Sequence, residues 1–365
     1  MNTSEIKIIK LKGNPRTRGE ILGKQLKRLI KKHLNIIKLL IFEYYQTNPI
    51  EIINDFFKNT KILESAIKLT PHLIEEVEGV AEGSGNDFKE IFATQCIDEL
   101  IWYKFEKNTR FSNQCSALGI LKDKDFPSII AQNVDHINIF RDYGLILHIF
   151  DHKTSLESFI YSLSGLIALT GINNRAIAVC TNGLSLELNY SIEGLPVSFI
   201  VREILAQETY NDAIEVIQNI KQASGQNYLI GSLDNIISFE CSGNSIVQYP
   251  RDKRVNRIYH TNHALVNKDL LNSSLNIAHV MEENKSLERF NFLEKHLNDS
   301  SVIITFKKLR DILSSHEGFI CRHPDETPEG SSTIASVIYL LSKSPEMYVS
   351  EGMPCSNEYK KFTFL

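Results

Sequence analysis

Ser112-Asn113-Gln114-Cys115-Ser116-Ala117-Leu118-Gly119-Ile120 is the stretch at which the chain changes texture. Before it, apolar residues recur at helical spacing; after it, short alternating runs follow one another as strands do. A cysteine at that junction opens the strand-rich part of the protein. If the Gln114–Cys115 peptide bond is cut, Cys115 becomes a new N-terminal residue carrying both a thiol and its own α-amine. An α-amine, with a pKa of about 7.7–8.0, is able to take the proton of a thiol whose ordinary pKa is about 8.5. Nucleophile and base then sit on one residue, and no separate histidine is needed.

Upstream, Glu5 to Leu11 alternates like a short strand, and Gly13-Asn14-Pro15 turns the chain into a long helix from near Thr17. Leu22, Leu26, Leu29, Ile30, Leu34, Ile37 and Leu40 form its apolar stripe, and Asn48-Pro49 is expected to end it. A helix is expected from Thr70-Pro71 to Gly83-Ser84-Gly85, and another capped by Asn86 and running to about Tyr103. Downstream, residues 115–121 and 128–134 read as a hairpin joined across 122–127, with strands at 145–150, 158–163 and 176–181. Helices at 197–208 and 211–220 precede strands at 227–232, 236–241 and 257–261. Helices at 286–297 and 305–314 precede strands at 333–341 and 346–350. This alternation predicts helix layers packed on sheets. There is no internal repeat or long linker, so the chain reads as one integrated unit.

With 365 residues and 42% hydrophobic content, the chain has ample material for a core. Forty basic against 44 acidic residues, net -4, leave no electrostatic footprint for nucleic acid or an anionic membrane, and a small-molecule partner fits better. The basic run from Lys24 to Lys32 is interleaved with Leu26, Leu29 and Ile30, which predicts the wet face of an amphipathic helix. No apolar run has the roughly 18 residues of a membrane span, and Met1–Glu5 lacks a secretory pattern, so the expected location is cytoplasmic. The six cysteines (Cys96, Cys115, Cys180, Cys241, Cys321, Cys355) have no close pairs in sequence. They read as reduced thiols, five of them packing residues. His148, Asp151 and His152, or Cys321 and His323, match no common ligand spacing, so no metal is expected.

Four residues have usable chemistry around Cys115. Asp135, in Gln132-Asn133-Val134-Asp135-His136, ends the strand that pairs with the one opened by Cys115 and could hold the amine. Asn182 and Asn227 terminate or open strands and could aim amide donors at a developing oxyanion. Arg289 could orient a carboxylate or lock the pocket. Each has an ordinary reading as well. Cys115 equally suits a small core position, Asp135 a turn, Asn182-Gly183 a turn pair, Asn227 a strand-end hydrogen bond, and Arg289 a surface ion pair.

Taken in order, the segments resemble the autoproteolytic acyltransferase family of acyl-coenzyme A:6-aminopenicillanic acid (isopenicillin-N) acyltransferase, within the N-terminal nucleophile hydrolase superfamily. The run begins with Gly13, Arg18-Gly19 and Gly23, continues through Glu78–Gly85 and Glu99, and reaches Cys115-Ser116, Gln132–Asp135 and Thr181–Leu184. Asn227, Thr261-Asn262-His263, Ser286–Arg289, Ile320–His323 and Glu351–Pro354 complete it. Gln114 stands where the penicillin enzyme has glycine.

The resemblance implies an α+β, four-layer αββα sandwich with a mainly helical N-terminal segment. Residues 1–114 form an α segment and 115–365 a β segment, which stay associated after self-cleavage between Gln114 and Cys115. It implies catalytic roles for Cys115, Asp135, Asn182 and Asn227, with Arg289, Ser116 and His136 as substrate-binding residues. The expected reaction is hydrolysis of an N-acyl amide through a Cys115 thioester. Acyl transfer to an amine, from acyl-coenzyme A or an amide, is the second reading, and an uncleaved silent binding protein the third. No cofactor is expected; acyl-coenzyme A enters, if at all, as substrate. A homo-oligomer is compatible with everything above.

Overall fold

The Asn14 side chain accepts a hydrogen bond from the Thr17 N–H, and Pro15 follows at the first helical position, so helix α1 runs from Pro15 to Tyr45 after a short strand β1 (Ile8–Lys12). These elements come from a computed structural model that describes residues 6–103, 114–123, 126–184, 187–252, 255–271, 285–299, 303–324 and 330–364. Met1–Glu5, Ser112, Asn113, Lys124 and Asp125, all used in the sequence reading, lie outside the described residues.

Asn48-Pro49 does not close α1 but opens α2 (Pro49–Asn59), because the Asn48 side chain caps the new helix. Helix α1 ends earlier, at Gln46, whose backbone is left-handed. Helix α3 (Ile62–Leu69) leads into α4 (Pro71–Ser84), which starts and stops where expected. The single helix expected from Asn86 to Tyr103 is two: α5 (Phe88–Gln95), capped by Asp87, and α6 (Ile97–Tyr103), with Cys96 between them.

The glycines of the opening motif have a packing role. A Cβ on Gly19 would lie 1.9 Å from the Glu76 carbonyl oxygen, and one on Gly79 would lie 2.2 Å from that of Arg16, so α1 and α4 cross backbone to backbone. Arg18 belongs to the same crossing. Its Nε donates to Glu76 at 3.0 Å, and Arg202 donates twice to the same buried carboxylate, at 2.5 and 2.9 Å. Burial alone would push Glu76 up; the two guanidiniums outweigh it and hold the carboxyl below its ordinary range. The exposed side of α1 carries Lys24, Lys27, Arg28, Lys31 and Lys32, as the interleaving predicted.

Beyond Cys115 the chain forms β2 (Ser116–Ile120), β3 (Ser128–Ile137), β4 (Gly144–Asp151), β5 (Leu156–Leu163), β6 (Thr170–Asn173) and β7 (Ala178–Gly183). Helices α7 (Val197–Leu205) and α8 (Tyr210–Asn219) follow, then β8 (Gln226–Gly231), β9 (Ile236–Cys241), β10 (Ile246–Tyr249) and β11 (Arg257–His260). Helices α9 (Ser286–Leu297) and α10 (Phe306–Leu313) precede β12 (Ser331–Leu341), β13 (Glu346–Glu351) and β14 (Lys360–Thr363). One sheet has the order β1-β4-β5-β6-β7-β8-β9-β10, the other β11-β2-β3-β12-β13-β14.

The sheets pack face to face, β2 and β3 against β7 and β8. All ten residues of β3 and all eight of β5 are buried, the mark of strands covered on both faces. Helices α1, α7 and α8 cover the outer face of the larger sheet. Phe292, Leu293, Leu297, Leu309, Ile312 and Leu313 of α9 and α10 pack on Leu118, Ile129 and Ile338 of the smaller one. The result is a four-layer αββα sandwich of the α+β class. Segments 1–114 and 115–365 share a sheet, since β1 pairs in parallel with β4 (Ile8 opposite Ile146). No described helix is long and apolar enough to cross a membrane.

Candidate active site

Cys115 lies one residue ahead of β2, in the space between the sheets, and is 7% exposed. A pocket reaches it, lined also by Gln132, Asp135, His136, Thr181 and Gly183. Pairing of β2 with β3 sets Ser116 opposite Asn133, so Asp135 falls just beyond Cys115, and the Cys115 Sγ stands 3.9 Å from the Asp135 carbonyl oxygen. Burial, with the Asp135 carboxylate beside it, pushes the Cys115 thiol up to about 12. At neutral pH it is therefore un-ionised.

Asp135 is fully buried. On the far side, β12 places Thr333 opposite it, and the Thr333 Oγ1 donates to Oδ1 at 2.7 Å. Asp135 Oδ2 has no hydrogen-bond partner among the described residues. Burial raises this carboxyl to about 6 against the opposing pull of Arg289 and Arg322.

Asn182, near the end of β7, donates its Nδ2 to the Cys115 carbonyl at 3.0 Å. Register sets Asn227 of β8 directly opposite Asn182. The Asn227 Nδ2 donates to Asn182 Oδ1 at 3.0 Å, and Ser238 donates to Asn227 Oδ1 at 2.6 Å. Both asparagines were expected to aim amide donors at a developing oxyanion; instead the Asn182 amide is engaged by the main-chain carbonyl of Cys115 itself, and the Asn227 amide holds Asn182. Arg289, fully buried near the start of α9, donates to the Cys115 carbonyl at 2.6 Å, to Ser116 Oγ at 3.1 Å and to Asn262 Oδ1 at 3.0 Å. Burial lowers it to about 10, which leaves it a cation at neutral pH. The surface ion-pair reading of this arginine is thereby overturned.

Gln114 is buried beside the junction and accepts a bond from Ser331 Oγ at 3.1 Å. His136 stands where the pocket meets a second, apolar recess lined by Ile37, Leu40, Ile41, Leu100 and Phe140. Burial drops its imidazole to about 4, so it is neutral, and its Nδ1 accepts the Ile137 N–H at 2.9 Å.

Three groups at the site were given no role from the sequence. Asn262 receives Arg289 and donates to the Gly183 carbonyl at 3.0 Å, tying α9 to β7. Thr333 seats Asp135, and Ser238 starts the relay to Asn182. The polar run Ser331-Ser332-Thr333 at the head of an otherwise apolar strand was the available signal for Thr333.

The expectation about the cysteines needs correction. Cys96, Cys180 and Cys241 are buried packing residues, but Cys355 is exposed, and Cys321 and Cys355 meet in space with His316 and His323. The dismissal of Cys321 and His323 as ligands rested on sequence spacing, which does not register partners brought in by the fold. His148, by contrast, is bonded to Glu157.

The sequence model of the acyl-coenzyme A:6-aminopenicillanic acid acyl-transferase family matches residues 121–354, more than half of the chain. The chain belongs to that family. The match to the acyl-transferase family starts six residues after Cys115 and takes in Asp135, Asn182, Asn227 and Arg289. No curated protein sequence matches the chain. Among solved structures, the Caenorhabditis elegans ortholog of N-acylethanolamine-hydrolyzing acid amidase is similar at 13% identity and a TM-score of 0.45, over 62% of this chain and 92% of that one. A conjugated bile acid hydrolase from Clostridium perfringens is similar at 12% identity and a TM-score of 0.40, over 68% of this chain and 97% of that one. Penicillin V acylase from Agrobacterium tumefaciens is similar at 11% identity and a TM-score of 0.38, over 68% of this chain and 86% of that one. These three likenesses are too loose to assign a substrate to this acyl-transferase family member.

Proposed function

We propose that this chain is a self-processing cysteine amidohydrolase whose nucleophile is the N-terminal Cys115 formed by cutting the Gln114–Cys115 bond. Membership of an acyl-transferase family makes it an enzyme of acyl chemistry at amide bonds. In processing, the Cys115 sulfur attacks the Gln114 carbonyl carbon, the C–N bond breaks, and the nitrogen takes up the proton lost by the thiol. Water then hydrolyses the thioester, leaving a carboxylate on Gln114 and a free thiol and amine on Cys115. In turnover the amine accepts the thiol proton, sulfur attacks the substrate carbonyl, and the proton passes to the leaving amine. Water releases the acid from the second thioester. Asn182 and Arg289 fix the Cys115 carbonyl and so aim the sulfur.

The observation that carries this reading is the buried, unpartnered Oδ2 of Asp135, raised to about 6 beside Cys115. A buried carboxylate without a partner costs stability. An ammonium formed at Cys115 would supply both the missing hydrogen bond and the counter-charge. The apolar recess adjoining the pocket at His136 and Ile97 suits the acyl chain of an N-acyl amide. That recess is built largely by residues of segment 1–114, so both pieces form the site. Buried free thiols suit a reducing compartment such as the cytoplasm. Acyl transfer from acyl-coenzyme A, favoured by the family's own description, uses the same Cys115 thioester but differs at both ends: the group expelled is a thiol in place of an amine, and an amine in place of water resolves the thioester.

Intact-mass analysis of wild type against Cys115→Ala tests this, alongside a panel of N-acyl amides and acyl thioesters assayed for released amine or thiol. The expected result is two fragments and amide turnover in wild type alone. A full-length, uncut enzyme that turns over amides would overturn self-cleavage. An uncut chain inert to the whole panel would leave the silent binding protein as the correct reading.

A further inference from the structure

Four side chains gather at the turn after α10 and the turn after β13. His316, Cys321, His323 and Cys355 each offer one donor atom, and the four atoms all lie within 4.8 Å of one another. The His316 and His323 Nε2 atoms are 3.0 Å apart, and the His323 Nε2 is 3.1 Å from the Cys355 Sγ. The two rings stand nearly perpendicular, at 89°, so their nitrogens converge edge-on while their faces do not stack. Tetrahedral zinc, with bonds of about 2.0–2.1 Å to nitrogen and about 2.3 Å to sulfur, sets its ligand atoms about 3.3–3.8 Å apart. The group is already close to that spacing.

We propose that His316, Cys321, His323 and Cys355 form a structural zinc site that pins the turn after β13 to the segment seating Asp135. The donor set selects the ion. Two thiolates and two imidazoles are soft-to-borderline ligands that suit zinc and disfavour magnesium or calcium. Two thiolates also cancel the charge of a divalent ion, which matters because Cys321 is buried while the other three are exposed. Four protein ligands close the coordination sphere, the pattern of a structural site and not a hydrolytic one.

The backbone around the group is held by its own bonds. The Cys321 N–H donates to the Ser315 carbonyl at 2.8 Å, which folds the two ligand-bearing ends of the 316–321 turn together. The Ser314 hydroxyl donates to the Pro354 carbonyl at 3.1 Å, and Asn357 donates its N–H and its Nδ2 to the Met353 carbonyl at 3.1 and 3.0 Å. Between two of the ligands lies Arg322. Its N–H donates to Thr333 Oγ1 at 3.0 Å, its carbonyl accepts the Thr333 N–H at 3.1 Å, and Thr333 Oγ1 donates onward to Asp135. The ion would therefore stabilise the strand end on which Asp135 depends without touching the reacting atoms.

The test is direct. The full chain, purified under reducing conditions, is exposed to excess zinc, passed through a desalting column and assayed by plasma mass spectrometry. About one zinc per chain is expected, falling to near zero in Cys321→Ser/Cys355→Ser and in the exposed-position variant Cys355→Ser alone. Replacement by cobalt should give the intense visible bands of a tetrahedral ion with a thiolate-to-metal charge-transfer band, a readout that needs no variant. Less than about 0.1 zinc per chain without those cobalt bands would overturn the site, as would full zinc retention by the double variant. A Cys321–Cys355 disulfide recovered from the reduced preparation would overturn it as well.

Discussion

Cys115 and Cys180 are both buried thiols in the same sandwich, and burial pushes the pKa of both upward. Their surroundings differ. Cys180, within β7, has apolar neighbours and a Thr170 hydroxyl at 3.8 Å, and it belongs to the main apolar core. Cys115 faces a pocket, an under-bonded carboxylate, and a carbonyl gripped by Asn182 and Arg289. Burial alone makes a thiol inert. What distinguishes a nucleophile is the set of polar groups that remain unsatisfied, or unusually well fixed, around it.

The sharpest way to break that comparison is to remove each sulfur. Cys115→Ala should abolish both fragment formation and amide turnover, while Cys180→Ala should retain both and lose only about 1 kcal/mol of stability, read by mass spectrometry and urea unfolding. Equal loss in the two variants would mean that Cys115 is simply another packing residue.

A smaller effect tests the grip on the Cys115 carbonyl. Asn182→Ala should slow processing and kcat by about 100-fold, the scale on which misplacing a reacting group by about 1 Å acts. Asn227→Ala, acting only through Asn182, should cost about tenfold, and a time course of fragment formation separates the two. The reverse order would show that Asn227 is the group in direct play.

The smallest effect concerns pH. In an uncut Cys115→Ala background, Asp135 binds its proton more tightly folded than unfolded, with a folded pKa of about 6. Its burial therefore costs little below the ordinary carboxylate range and costs progressively more as pH rises through 6. Asp135→Asn, which keeps an acceptor for Thr333 but carries no charge, should stabilise that background by about 2–3 kcal/mol above pH 6, the gain fading as pH falls towards 4. Denaturant unfolding at pH 5 and pH 7.5 reads the difference. The stability change of Cys180→Ala, with no carboxylate beside it, should not vary over the same interval.

Much of the fold was legible because its signals are local. The helix starts near Asn14-Pro15 and at Thr70-Pro71, the hairpin after Cys115 and helix α9 were placed within a few residues, although the Thr70 hydroxyl bonds back to the Ala66 carbonyl and does not cap α4. Asn48-Pro49 misled because one dipeptide ends a helix and begins the next. Strands β6, β10 and β14, four residues each, were not expected, although β11, of the same length, was. At the site, Asp135 was expected beside Cys115 from strand pairing, a short-range inference. Asn262, Thr333 and Ser238 were assigned no role, because what gives them one is contact between distant elements. The same limit hid the meeting of Cys355 with His316, Cys321 and His323, which no spacing rule along the chain expresses.

The parallel pairing of β1 with β4 has a consequence for refolding. While the backbone is continuous, that pairing forms within one molecule. Were the bond before Cys115 hydrolysed, as proposed, unfolding would yield two separate polypeptides, and recovery would become a second-order encounter between a strand with its helices and an unfinished sheet. The native assembly would then be easier to make than to remake, its melting point would rise with protein concentration, and dilution after denaturation would trap the pieces apart.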